Sequence, residues 1–169
     1  MHQYSKILLA ALLVVAAVSG TARAQTPSRA TAASVEPSIA FGSQTVVALR
    51  SNGNVLTWGN QSSKCLLGRK AALGKVDPNP GVVMHNVKEI AVAAWMYLAV
   101  TVDGKVYGWG AGLPMGSKHY PCDGPALVPS LAGLKVTHIG VIAGFTNQDS
   151  FAVAVTDTGW CHLGGGHAY

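Results

Sequence analysis

Apolar residues along this chain fall into short β-branched runs broken by glycine turns, and the same pattern returns at a nearly fixed distance. Thr45 to Gly59 reads TVVALRSNGNVLTWG. Two apolar runs flank Asn52-Gly53, a dipeptide that accepts the positive φ angles of a type I′ turn, so the stretch is expected to be a hairpin. Met96 to Gly110 reads MYLAVTVDGKVYGWG, with Asp103-Gly104 at the turn, Trp109 in the place of Trp58 and Gly110 in the place of Gly59. Phe151 to Gly165, FAVAVTDTGWCHLGG, keeps the alanine (Ala154, as Ala48 and Ala99) and the turn glycine Gly159, but has no tryptophan at the matching position. The turn glycines are 51 and then 55 positions apart. That is the length scale of propeller blades and not of helical solenoids.

The remaining apolar runs complete the units. Ser38 to Gly42 and Thr45 to Arg50 precede the first turn, and Asn54 to Trp58 follows it with Val55 and Thr57 on one face, Leu56 and Trp58 on the other. Asn60 to Gly81 is expected to be a long loop, followed by a short apolar run at Val82 to Met84. Ile90 to Val102 is almost unbroken, but its match to the first unit predicts two strands that meet near Ala93-Ala94, buried on both faces. Gly112 to Pro129 is a second loop, where Pro114, Pro121 and Pro125 oppose ladder pairing. Val136 to Ile142 aligns with Val87 to Ala93 as the next strand, and Phe145 to Ser150 is the polar part of an insertion.

Residues 1–24 do not share this pattern. Lys6, the apolar run Ile7 to Val18 and then Ala22-Arg23-Ala24 have the layout of a secretory signal peptide. The run is shorter than the roughly twenty residues that span a bilayer. Cleavage would leave a mature chain from Gln25, free of the membrane, with Gln25 to Pro37 as a flexible linker and 38–169 as the repeat domain (38–86, 87–135 and an incomplete 136–169). An exported product is expected in the periplasm or outside the cell. Losing Lys6 and Arg23 lowers the net charge from +5 to +3, too mild and too scattered for a nucleic-acid footprint. Three cysteines would enter an oxidising compartment, where pairs persist as disulfides. Cys65 and Cys122 both fall in the loop that follows a Trp-Gly, so a link between neighbouring units is one arrangement, while Cys161 sits in a predicted strand as a small apolar residue.

The form A-L-x-x-x-G-x-V-x-x-W-G, preceded by V-x-x-I, resembles the repeat of the regulator of chromosome condensation family. Ala48-Leu49, Gly53, Val55 and Trp58-Gly59 fit it, as do Val87, Ile90, Ala99-Val100, Gly104, Val106 and Trp109-Gly110. Asn60 with Leu66-Leu67-Gly68 is similar to the N-x-x-G-Q-L-G element of that repeat at altered spacing. The resemblance implies an all-β fold, a partial β-propeller of two to three RCC1-like blades in an incomplete ring, where the family's propellers have about seven. Open edges would then be covered by blades from another chain or from a longer gene product. It also implies the company of secreted bacterial propellers that act as protein-binding scaffolds.

Chemistry-bearing motifs are sparse. His119-x-x-Cys122 and Cys161-His162 with His167 offer zinc-type ligands, but the two groups are about forty residues apart and lack paired C-x-x-C spacing. Gly74-Lys75 lacks both the glycine spacing and the Ser/Thr of a phosphate-binding loop. The reading is therefore an exported, non-catalytic module that binds an unidentified protein, with no metal, no cofactor and no nucleic acid. Its loops Asn60 to Lys64, Met115 to Tyr120 and Phe145 to Asp149 would face the partner, with Lys64, Lys118, His119, Tyr120 and Asn147 as contacts. The alternative is a metal-dependent exported enzyme using His119, Cys122, Cys161 and His162.

Overall fold

A computed structural model describes residues 34–61, 65–111, 123–142 and 151–163, with residues 161–163 described by their backbone alone. The described chain forms three antiparallel sheets in sequence order. The first holds β1 (Ser38–Phe41), β2 (Thr45–Leu49), β3 (Val55–Gln61) and β4 (Lys75–Met84). The second holds β5 (Val87–Ala93), β6 (Met96–Thr101), β7 (Val106–Gly110) and β8 (Ala126–Leu127). A short 3-10 turn, Pro129–Leu131, leads to the third, made of β9 (Val136–Ile142), β10 (Phe151–Thr156) and β11 (Gly159–Leu163). Each sheet is a meander of neighbours, the form of a propeller blade. Three such blades make an open arc in place of a closed ring.

Cross-strand register shows that the blades are copies. Ile39↔Ala48, Ile90↔Ala99 and Ile139↔Ala154 are the same pair three times, and Val46↔Trp58 matches Tyr97↔Trp109. Both indoles therefore occupy one position of the blade. Their surroundings differ by what lies beyond: Trp109 is fully buried against the first blade, while Trp58 is half-buried.

The hairpin turns correct the type I′ expectation. Gly53 donates to the Arg50 carbonyl at 2.9 Å and Gly104 to that of Thr101 at 2.9 Å, with φ of +78° and +83° at the two glycines and negative φ at Asn52 and Asp103. These are three-residue loops in which a turn is followed by a left-handed glycine that forms a bulge. The extra residue has a use, because each turn glycine carbonyl accepts a hydrogen bond from the next blade. Val87 donates to Gly53 at 3.0 Å and Val136 to Gly104 at 2.9 Å.

Two apolar clusters lie between the blades. Val47, Leu49, Val55 and Leu66 of the first blade pack on Tyr97, Ala99 and Trp109 of the second. Met96, Leu98, Val100 and Val106 of the second pack on Ile139, Ala152 and Ala154 of the third. The third blade places Ala152 where the second has Tyr97, and the connecting segment adds Val128 and Leu131 to the cluster. One junction is therefore built around aromatic rings and the other around aliphatic side chains.

Two loops expected from proline content hold strands. β4 runs through Pro78 and Pro80, and its ladder with β3 slips between Thr57 and Gly59, opposite those prolines. It is an outer strand of its sheet, where the missing N–H groups leave no partner stranded. β8 begins directly after Pro125 and pairs with Tyr107 and Gly108.

Candidate protein-binding surface

Antiparallel strands send the β1–β2 and β3–β4 connections of a blade to one end and the tight β2–β3 turn to the other. The long connections thus share an end, and in the first blade the return from β3 to β4 is held by buried polar groups. Gln61 is buried on the inward face of β3, accepts from the Leu67 N–H at 2.9 Å and donates to the Arg69 carbonyl at 3.1 Å. Thr57, four residues earlier on the same face, donates to the Leu67 carbonyl at 2.7 Å. Arg69 donates to the carbonyls of Thr57 and Asn79, each at 3.1 Å, and pairs with Asp77 at 2.9 Å. The Asn79 N–H and the Arg69 guanidinium together hold the Asp77 carboxyl below its ordinary range. The buried Thr57 hydroxyl and both ends of the Gln61 amide have partners, whereas the neighbouring Asn60 Oδ1 is buried without one.

The same connection closes the first junction. Trp109 donates its indole N–H to the Leu66 carbonyl at 3.1 Å and stacks on Tyr97 with ring centroids 5.4 Å apart. Gly68 lies on the indole, and a Cβ there would stand 2.7 Å from Trp109 Cδ1. The Tyr97 hydroxyl hydrogen-bonds Thr45 of the first blade, and burial pushes its pKa up to about 12. Cys65, at the start of the connection, is buried and disulfide-bonded.

Gly59, near the end of β3, and Gly110, the last residue of β7, lie at this edge, and the residue after each bonds back in the same way. Asn60 donates to the Gln44 carbonyl at 2.9 Å and Ala111 to that of Trp95 at 2.8 Å. The turn end is built from local ionic contacts. Lys105 pairs with Asp103 at 2.7 Å and Thr101 also donates to that carboxylate, which lowers its pKa to about 2.

Gly53, Trp58, Gly59, Gly104, Trp109, Gly110 and Gly159 all fall at blade positions in this description. The proposed contacts Lys64, Lys118, His119, Tyr120 and Asn147 lie outside the described residues, as do Cys122 and the side chains of Cys161, His162 and His167. Among the described residues no group of three or more His, Cys, Asp or Glu could hold a metal ion, and no helix is long and apolar enough to cross a membrane. Thr57, Gln61 and Arg69 were not singled out from sequence. Their signal is the inward register of Thr57 and Gln61 with Val55, which places polar side chains in an apolar interface.

Residues 38–65, from β1 to the first residue of the clamped connection, match the regulator of chromosome condensation (RCC1) repeat. Over those residues the chain is similar to one RCC1-type repeat. Its fold is similar to that of human WBSCR16, with a TM-score of 0.57 at 19% identity over 73% of this chain and 31% of that one. Yeast RCC1 (Prp20), solved bound to Kap60, gives a TM-score of 0.48 at 24% identity over 71% of this chain and 30% of that one. Prp20p from Saccharomyces cerevisiae, described with its binding to Gsp1p and histones, gives 0.48 at 24% over 71% and 31%. This chain thus spans under a third of the length of these proteins. No curated protein matches it.

Proposed function

We propose that this chain is an exported, non-catalytic module that binds a protein through the end of its blades where the long connections gather. The observation that carries the reading is the contrast between the two ends. One is occupied by short turns, while the other has a connection fixed by Thr57, Gln61 and Arg69 and joined to Trp109. Connections held by a rigid frame are where binding residues concentrate. Lys64, Lys118, His119, Tyr120 and Asn147 belong to that end in this reading, and Cys65 pairs with Cys122 to tie neighbouring connections together.

Photo-crosslinking in an exporting host tests it. A photoreactive residue at position 120 or 147 should give one discrete protein adduct, and the same residue at Asp103 none. Equal labelling from both ends, or none from 120 and 147, would contradict the reading. The exported protein should begin at Gln25 by intact mass, and a non-reducing peptide map should contain a Cys65–Cys122 link. Stoichiometric zinc in the purified chain, lost with Cys161→Ala, would favour the metal-dependent enzyme instead.

A further inference from the structure

Both junctions inside the molecule join the same two faces of a blade. The leading face holds Ile90, Tyr97, Ala99 and Trp109 in the second blade and Ile139, Ala152 and Ala154 in the third. The trailing face holds Val47, Leu49 and Val55 in the first blade and Leu98, Val100 and Val106 in the second. Among the described residues one face of each kind is left uncovered. On the first blade's leading face Ile39 is 64% and Phe41 71% exposed, and on the third blade's trailing face Ile142 is 68% and Trp160 75% exposed. Phe151, Val153 and Val155 extend that second patch. Ile39 stands where Ile90 and Ile139 stand, and Trp160 where the buried Val55 and Val106 stand.

We propose that these two faces mate between copies, the leading face of one chain receiving the trailing face of another, so that two chains close a single ring. The contact continues the interface already formed twice within the chain, in the same register and with the same apolar character. Shape supports the fit. Trp160 is larger than the valines it replaces and sits near the turn end of its blade, paired with Val155. A groove of about 600 Å³ on the facing side of the first blade lies at the same end, lined by Pro37, Ser38, Ile39, Ala48 and Arg50 among others. Counting the described blades alone, two copies supply six, within the about four to eight of known propellers, whereas three copies supply nine. A head-to-tail contact that closes leaves neither face open, while one that fails to close would grow into filaments.

The mass of the full exported chain in sedimentation, with Ile39→Glu and Trp160→Glu, tests this. Both side chains are exposed in the single chain, so the variants should keep the wild-type circular dichroism. Two-chain mass is expected for the wild type, with each variant weakening association about thirtyfold or more, the effect of a hot-spot residue. Mixing the two variants restores one unaltered junction and should recover two-chain mass that neither shows alone. Single-chain mass for the wild type at its highest soluble concentration would overturn the proposal. So would a dimer that either variant leaves intact, or a mass that grows without limit.

Discussion

At the residue scale the aromatic junction makes pH a direct probe of packing. Tyr97 is deprotonated more easily in the unfolded chain, near pH 10, than in the fold, where its pKa is about 12. Its contribution is therefore complete below pH 10 and is lost as pH rises toward 12. Tyr97→Phe should flatten the fall of the denaturation midpoint between those values relative to wild type. Asp103 works in the opposite sense. Its pKa is lowered from 3.8 to about 2, so its contribution is present above pH 4 and lost as pH falls toward 2. Asp103→Asn should reduce the acid slope of stability over that window while leaving the alkaline limb alone. Gly68→Ala tests the contact with the indole. The added methyl should cost about 1–3 kcal/mol in chemical denaturation, as overpacking does. Trp109 was legible in the sequence because its Trp-Gly repeats. Tyr97 was not, since neither of its counterparts in the other blades, Val46 and Ala152, is aromatic.

At the element scale the hairpins could be read from alternating apolar runs and turn glycines, and the break in Ile90 to Val102 from its match to the first unit. Turn type could not be read so, because Asn-Gly and Asp-Gly suit both the two-residue turn and the three-residue loop with a bulge. The bonds from Val87 and Val136 to the turn glycines show what the longer loop does in this fold. β4 was hidden by Pro78 and Pro80, which oppose a central strand but are tolerated on an outer one. The connection between β3 and β4 is held by the disulfide at Cys65 and by the network around Gln61. Cys65→Ser should lower unfolding stability by about 2–5 kcal/mol, and a reducing agent should lower the wild type similarly without affecting the variant.

At the scale of the whole molecule, stability comes from stacking. No blade buries both of its faces alone, so the first and second junctions hold the described chain together. The repeat period made this order of blades visible in advance. The different fillings of the two junctions were less visible, since Leu131 enters from a connecting segment with no counterpart between the first two blades. The central claim is that successive blades dock face to face in one register. Hydrogen exchange at the Val87 and Val136 amides tests it most directly, because each of those groups donates across a junction to a turn glycine. Docked blades predict that both amides exchange as slowly as those in the middle of β6; exchange of either at the rate of an open loop would contradict the account.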